Sequence, residues 1–216
     1  TVSSVTIEVG KDAPATQDNC HVSSLSAKPD AVSFDLLENA LPFPVDDKAD
    51  KALHLVPFIQ DLNQETVTIR GLSEGSYDFL IDGTSIGHYR ADELKTGINL
   101  ATVKETPQYK QAVQVKNFID MRAYVFWGKL RDLTCVRLFL LSKYPNRTPA
   151  EEEKIIADNL EKNRKENNSY GIAQLEGYQK TVKEEAQLNQ DAATYLENAY
   201  LHAKPKSHHY EIKLAH

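Results

Sequence analysis

Near residue 106 the spacing of apolar residues changes, and that change directs the chain toward an α+β fold. Before it, apolar side chains fall at every second position: Val5, Ile7 and Val9; Val32, Phe34 and Leu36; Val67 and Ile69; Tyr77, Phe79 and Ile81. A period of two places them on one face of a strand. After it they recur three and four apart, through Val115, Phe118, Ile119, Val125, Phe126, Leu130, Leu133, Leu140 and Leu141. That is the period of one helix face. The expected architecture is a small antiparallel β-sandwich module over residues 1–105, followed by a helical arm over 106–216. Within the arm the spacing predicts a long α-helix over about 107–144, a C-terminal helical hairpin over about 149–204 and a short terminal strand over about 209–214.

Local signals sharpen this outline. Asp82-Gly83 separates two strand-like runs, and this dipeptide suits a type I′ turn, whose two central residues need positive φ. Gly71-Leu-Ser-Glu-Gly75 reads as a second turn, so residues 65–90 are expected to form a three-stranded antiparallel meander. Leu41-Pro-Phe-Pro44 and Val56-Pro-Phe58 mark irregular connections, because proline cannot donate to a sheet ladder. Thr148-Pro149-Ala150-Glu151 has the form of a capping box with proline at the first helical position. Leu175, Tyr178, Val182, Leu196 and Tyr200 then outline an apolar seam, and Pro205 ends the helices.

Composition excludes several function classes. No run approaches the roughly 18 to 20 apolar residues of a membrane-spanning helix. Residues 1–105 carry 17 acidic and 8 basic side chains, a net of -9, which argues against binding a phosphate backbone. The other 111 residues carry 14 acidic and 17 basic, interleaved as on solvated helix faces. Neither a nucleic acid nor a membrane is therefore expected as a partner. Cys20 and Cys135 are too few for a disulfide framework, which leaves either one bridge or two free thiols.

Several segments resemble the C-terminal region of bacterial, planctomycete-like GDSL/SGNH-type hydrolases, downstream of the catalytic domain. They are the run from Gly71 to Arg90, Glu93-Leu-Lys-Thr-Gly-Ile-Asn-Leu100, Thr106-Pro-Gln-Tyr109 and His209-Tyr-Glu-Ile212. Leu41-Pro-Phe-Pro44 and Asp61-Leu-Asn63 fit the same pattern. The resemblance implies an accessory portion of a secreted or periplasmic esterase or acylhydrolase, acting without a cofactor. It implies a serine nucleophile in a Gly-Asp-Ser motif on a separate α/β domain, and this chain has no Gly-Asp-Ser. The alternative is a non-catalytic carbohydrate-binding or assembly module. A carbohydrate-binding sheet face would present Tyr77, Phe79 and Tyr89 to solvent.

The residues themselves single out few candidates for chemistry. Asp18 and His21 have the Asp-x-x-His spacing in which a carboxylate orients an imidazole base. The sequence after them reads as strand, and ordinary surface residues are the simpler account. Thr1 invites comparison with N-terminal nucleophiles, but a mobile terminus is the commoner case. His202, His208, His209 and His216 lack a spacing that brings three metal ligands together, so no metal site is expected. Tyr124, Phe126 and Trp127 are expected in packing, and Arg122 and Arg137 in ion pairs with the β module or an absent domain. The long-helix stripe carries more apolar surface than water would tolerate. Its expected cover is an upstream hydrolase domain of the same protein or a second copy of the chain, with fold-back of the distal hairpin as the competing outcome.

Overall fold

A computed structural model describes residues 1–215, apart from the side chains of Asp47 and Asp50. Residues 1–116 with 199–216 form one compact unit, and residues 117–198 form another. In sequence, residues 117–198 thus interrupt the first unit, to which the C-terminal strand belongs. This differs from the expected division at 105/106.

The β unit is a two-sheet sandwich. Its strands are β1 (Ser3–Glu8), β2 (Thr16–Asp18), β3 (Cys20–Lys28), β4 (Ala31–Glu38), β5 (Glu65–Arg70), β6 (Ser76–Ile81), β7 (Thr84–Arg90), β8 (Ile98–Asn99) and β9 (Ser207–Leu214). One sheet has the order β2-β1-β5-β8 and the other β3-β4-β9-β6-β7. Short helices α1 (Asp50–Leu53), α2 (Phe58–Leu62) and α3 (Ala91–Thr96) lie in the connections. Val5, Ile7, Val67 and Ile69 of the first sheet share a core with Phe34, Tyr77, Phe79, Ile81, Tyr210 and Ile212 of the second. These are the residues whose period of two identified the strands. Tyr77 and Phe79 are fully buried, so they present no aromatic face to solvent.

The Asp82-Gly83 hairpin forms as expected, with φ of 50° and 74° at its two central residues and Ile81 paired to Thr84. Gly83 has open space around its Cα, so a larger side chain there meets a backbone penalty and no clash. Gly83→Val should lower stability by about 1–2 kcal/mol in urea melts, because a β-branched residue resists positive φ. An unchanged midpoint would contradict the turn.

The expected meander over 65–90 does not form. β5 pairs with β1 and β8, whereas β6 pairs with β7 and β9. Both β5 and β6 carry a buried apolar face, and placing them in facing sheets buries both faces against each other. Gly71 and Gly75, at φ of 88° and 153°, carry the chain from one sheet to the other. A second departure is the β1–β5 pair, which is parallel. Strands β3 and β4, which lie between them in sequence, belong to the opposite sheet.

The long helix begins as α4 (Pro107–Tyr124), passes through a π-helical segment at Val125–Leu130 and continues as α5 (Arg131–Phe139). α6 (Pro149–Lys165) starts at the expected capping box: Thr148 accepts from the Glu151 N–H, and the Glu151 carboxylate accepts from the Thr148 N–H. The expected two-helix hairpin is three helices, with α7 (Ser169–Thr181) and α8 (Glu185–His202) separated by a turn at residues 182–184. The β-branched pair Thr181-Val182 is a weak helix former at that break. Val125, Leu130, Leu133, Val136 and Leu141 pack against Ile156, Leu160, Leu175, Tyr178 and Ala192. Fold-back of the distal helices therefore covers this side of the stripe. The expected seam position Tyr200 is instead exposed, and Ala192 and Tyr195 join the core.

Candidate functional site

The alternation that builds the β core also carries three polar side chains inward. Glu38 follows Val32, Phe34 and Leu36 in phase, Glu65 precedes Val67 and Ile69, and His208 precedes Tyr210 and Ile212. Glu38 is 4% exposed and Glu65 is fully buried. The Ser3 hydroxyl donates to Glu38 Oε1 at 2.5 Å. Gln108, in the first turn of α4, donates from Nε2 to Glu65 Oε1 and to the Tyr210 hydroxyl, both at 2.6 Å. Burial pushes the Glu38 carboxyl up to about 7, against a partial opposing pull from the Ser3 hydroxyl. Burial raises Glu65 well above the usual carboxylate range, and the neighbouring Glu38 charge raises it further. Burial also raises the Tyr210 phenol, with both glutamates adding to the effect. Paired carboxyls suit general acid–base work, but these two are buried in the sandwich.

The Asp82-Gly83 hairpin turn is tied to β9. Asp82 Oδ1 accepts from the His209 N–H at 2.8 Å, and Asp82 N–H donates to the His209 carbonyl. Asp82 Oδ2 lies 2.6 Å from His208 Nδ1. Burial works against the Asp82 charge, yet these histidine contacts hold its carboxyl below the usual range. The His208 side chain is 11% exposed, and its Nε2 is buried with no hydrogen-bond partner. Asp82 thus orients an imidazole as in a hydrolase dyad, and among the described residues no hydroxyl or thiol hydrogen-bonds its other nitrogen.

The residues picked out by sequence spacing lie elsewhere. Asp18 ends β2 and His21 lies in β3; both are exposed, and no hydrogen bond joins them. Thr1 is exposed, while the next residue is held by a bond from the Val2 N–H to the Gln64 carbonyl. Among the described residues no group of three His, Cys, Asp or Glu side chains could hold a metal. His208 and His209 face different aspartates, Asp82 and Asp35, and His216 lies outside the described residues. Cys20 and Cys135 are free thiols.

The expectation that Arg122 and Arg137 reach outside the helices also gives way. Arg137 makes a two-pronged bond to Glu185 of α8, at 2.6 and 2.7 Å, and Arg122 lies over the Phe126 ring at 4.9 Å. Tyr124, Trp127 and Phe139 are 61%, 75% and 67% exposed and are not packed. Tyr124 precedes the π-helical segment, Trp127 lies within it and Phe139 ends α5; the wider turn of the segment changes the phase of the helix face there.

Sequence reasoning missed Glu38, Glu65 and Gln108. The signal was present for the glutamates, since each lies in phase with an inward-facing apolar run. Nothing local marks Gln108, whose partners are 43 and 102 residues away.

No family model matches the chain, and no curated protein matches it. Among solved structures it is similar to a gut microbial diltiazem-metabolizing enzyme, with a TM-score of 0.83 and 24% identity. The match covers 99% of this chain and 50% of that one, so the chain spans about half the length of that enzyme. At this identity the likeness establishes a shared fold.

Proposed function

We propose that this chain is the accessory C-terminal portion of an SGNH/GDSL-type esterase or acylhydrolase, secreted or periplasmic, whose serine nucleophile lies on a part outside it. The observation that carries the reading is the end-to-end fold likeness to half of a drug-metabolizing enzyme. The ordered motifs between Gly71 and His209 support the same class. Among the described residues no hydroxyl or thiol hydrogen-bonds the imidazole of the Asp82–His208 dyad, and the acid pair is buried, as suits a supporting part. Tyr124, Trp127, Leu138 and Phe139 are apolar side chains left exposed along the helix, and we take them as the face that a partner covers. The hydrolase domain of the same protein is the proposed occupant of that face, and a second copy of the chain is the alternative outcome.

The chain alone should neither hydrolyse p-nitrophenyl acetate above the buffer rate nor be labelled by a fluorophosphonate, which reacts with activated serines. Labelling of any serine would overturn the reading. Turnover abolished by His21→Ala would instead assign catalysis to the Asp18 and His21 pair. Turnover that survives that change would point to a site elsewhere in the chain.

A further inference from the structure

The buried glutamates converge from different elements, and among the described residues no cation acts strongly on either. Glu38 comes from β4, Glu65 from β5, Tyr210 from β9, Ser3 from β1 and Gln108 from α4. The groups acting on Glu65 are Glu38 and Gln108, and the group acting on Glu38 is Ser3. Tyr210 feels both glutamates, Gln108 and Asp82, and the Cys20 thiol of β3 feels Glu38. None of these is a cation. Glu65 Oε2 and Gln108 Oε1 are moreover buried without hydrogen-bond partners. An ionised Glu65 would place an uncompensated charge in a low-dielectric interior, beside a second carboxyl, with one oxygen unbonded. That is among the costliest arrangements a fold can hold.

We propose that Glu65 is a neutral acid at neutral pH, and that its proton stabilises the sandwich at the place where Gln108 docks the first turn of α4. With Glu65 neutral, the Gln108 amide bridges an uncharged carboxyl and the Tyr210 phenol. The Gln108 N–H favours the ionised acid, but it offsets only part of the cost: ionisation of Glu38 and Glu65 leaves two like charges buried together beneath the first turn of α4. The sign follows from proton binding: the folded chain keeps protons that the unfolded chain has released above a pH of about 4.5. The benefit of those protons is complete below that value and is lost as pH rises, for Glu38 through about 7 and for Glu65 through its own raised range. The unit should therefore be most stable in mild acid and weaken in mild alkali. This device stands independently of the esterase reading.

The test is a pH series from 5 to 9 on the full chain with glutamate carboxyl carbons labelled for NMR, alongside Glu65→Gln and Glu38→Gln. In the wild type the Glu65 carbon should stay at its neutral-acid position through pH 7. The unfolding equilibrium constant should rise up to tenfold per pH unit for each retained proton. Glu65→Gln keeps the shape of a neutral acid and should remove one proton's share of that slope, so that its advantage over wild type grows with pH. Hydrogen exchange of the amides in the first turn of α4 should accelerate in alkali in the wild type and less in the variant. A Glu65 carbon titrating in the ordinary carboxylate range would overturn the proposal. So would a wild-type stability profile that is flat from pH 5 to 9. Should Glu65→Gln fail to fold, the wild-type titration and Glu38→Gln decide the matter by the same criteria.

Discussion

Ending the chain at Lys206 should abolish folding of the β unit. The segment removed contains β9, which lies between β4 and β6 in the middle of the larger sheet. It pairs with seven residues of β4 and five of β6. Tyr210 and Ile212 are fully buried, and Tyr210 stacks on Phe34 at 5.0 Å. Burial of each side chain is worth roughly 1.5–3 kcal/mol. Each inward backbone group left without a partner costs about 1–3 kcal/mol more. Together these losses exceed the 5–15 kcal/mol that stabilises a typical domain. Far-UV and near-UV circular dichroism should show loss of the cooperative transition, and recovery on adding a synthetic peptide of residues 207–215 would identify the strand as the cause. A truncated chain that melts near the wild-type temperature would mean that β9 is dispensable.

Phe79→Ala should cost far more stability than Trp127→Ala, although tryptophan is the larger side chain. Phe79 has no exposed surface, and its ring meets those of Tyr89 and Tyr210 edge-on at 5.9 and 6.1 Å. Truncating it leaves a cavity bounded by those rings, at a cost of about 3–5 kcal/mol in chemical denaturation. Trp127 is 75% exposed, and its removal should move stability by less than about 0.5 kcal/mol. Its effect should appear in association, because Trp127 belongs to the apolar face proposed to meet a partner. Wild type should bind an apolar fluorescent dye or self-associate by light scattering, and Trp127→Ala should do so less. A monomeric wild type that binds no dye would count against that face as an interface.

These two substitutions also mark where local pattern stops being informative. Phe79 was legible as a core residue from its phase with Tyr77 and Ile81. Trp127 was expected in packing with Tyr124 and Phe126, yet it is exposed. The π-helical segment shifts the phase between α4 and α5, and average spacing does not register one inserted residue. The buried glutamates show the same boundary from the other side. Their phase was visible, but a polar residue at a strand end is ordinarily solvated, and only packing across the sandwich closes these two off.

The sequence by itself determined the elements: the strands by their period of two, the hairpin turn by Asp82-Gly83, the start of α6 by its capping box, and the helical stretch by its three-and-four spacing. Each depends on interactions within a few residues, whose energies favour one backbone conformation whatever the rest of the chain does. The tertiary structure alone decided the pairings. It separated β5 from β6, made β1 and β5 parallel, drew β9 back into the centre of a sheet, and gathered Glu38, Glu65, Gln108 and Tyr210 into one buried cluster. The physical reason is that strand edges and apolar faces are chemically interchangeable when read locally. Which edges meet is settled by how all the faces can be buried at once, and that condition belongs to the whole chain.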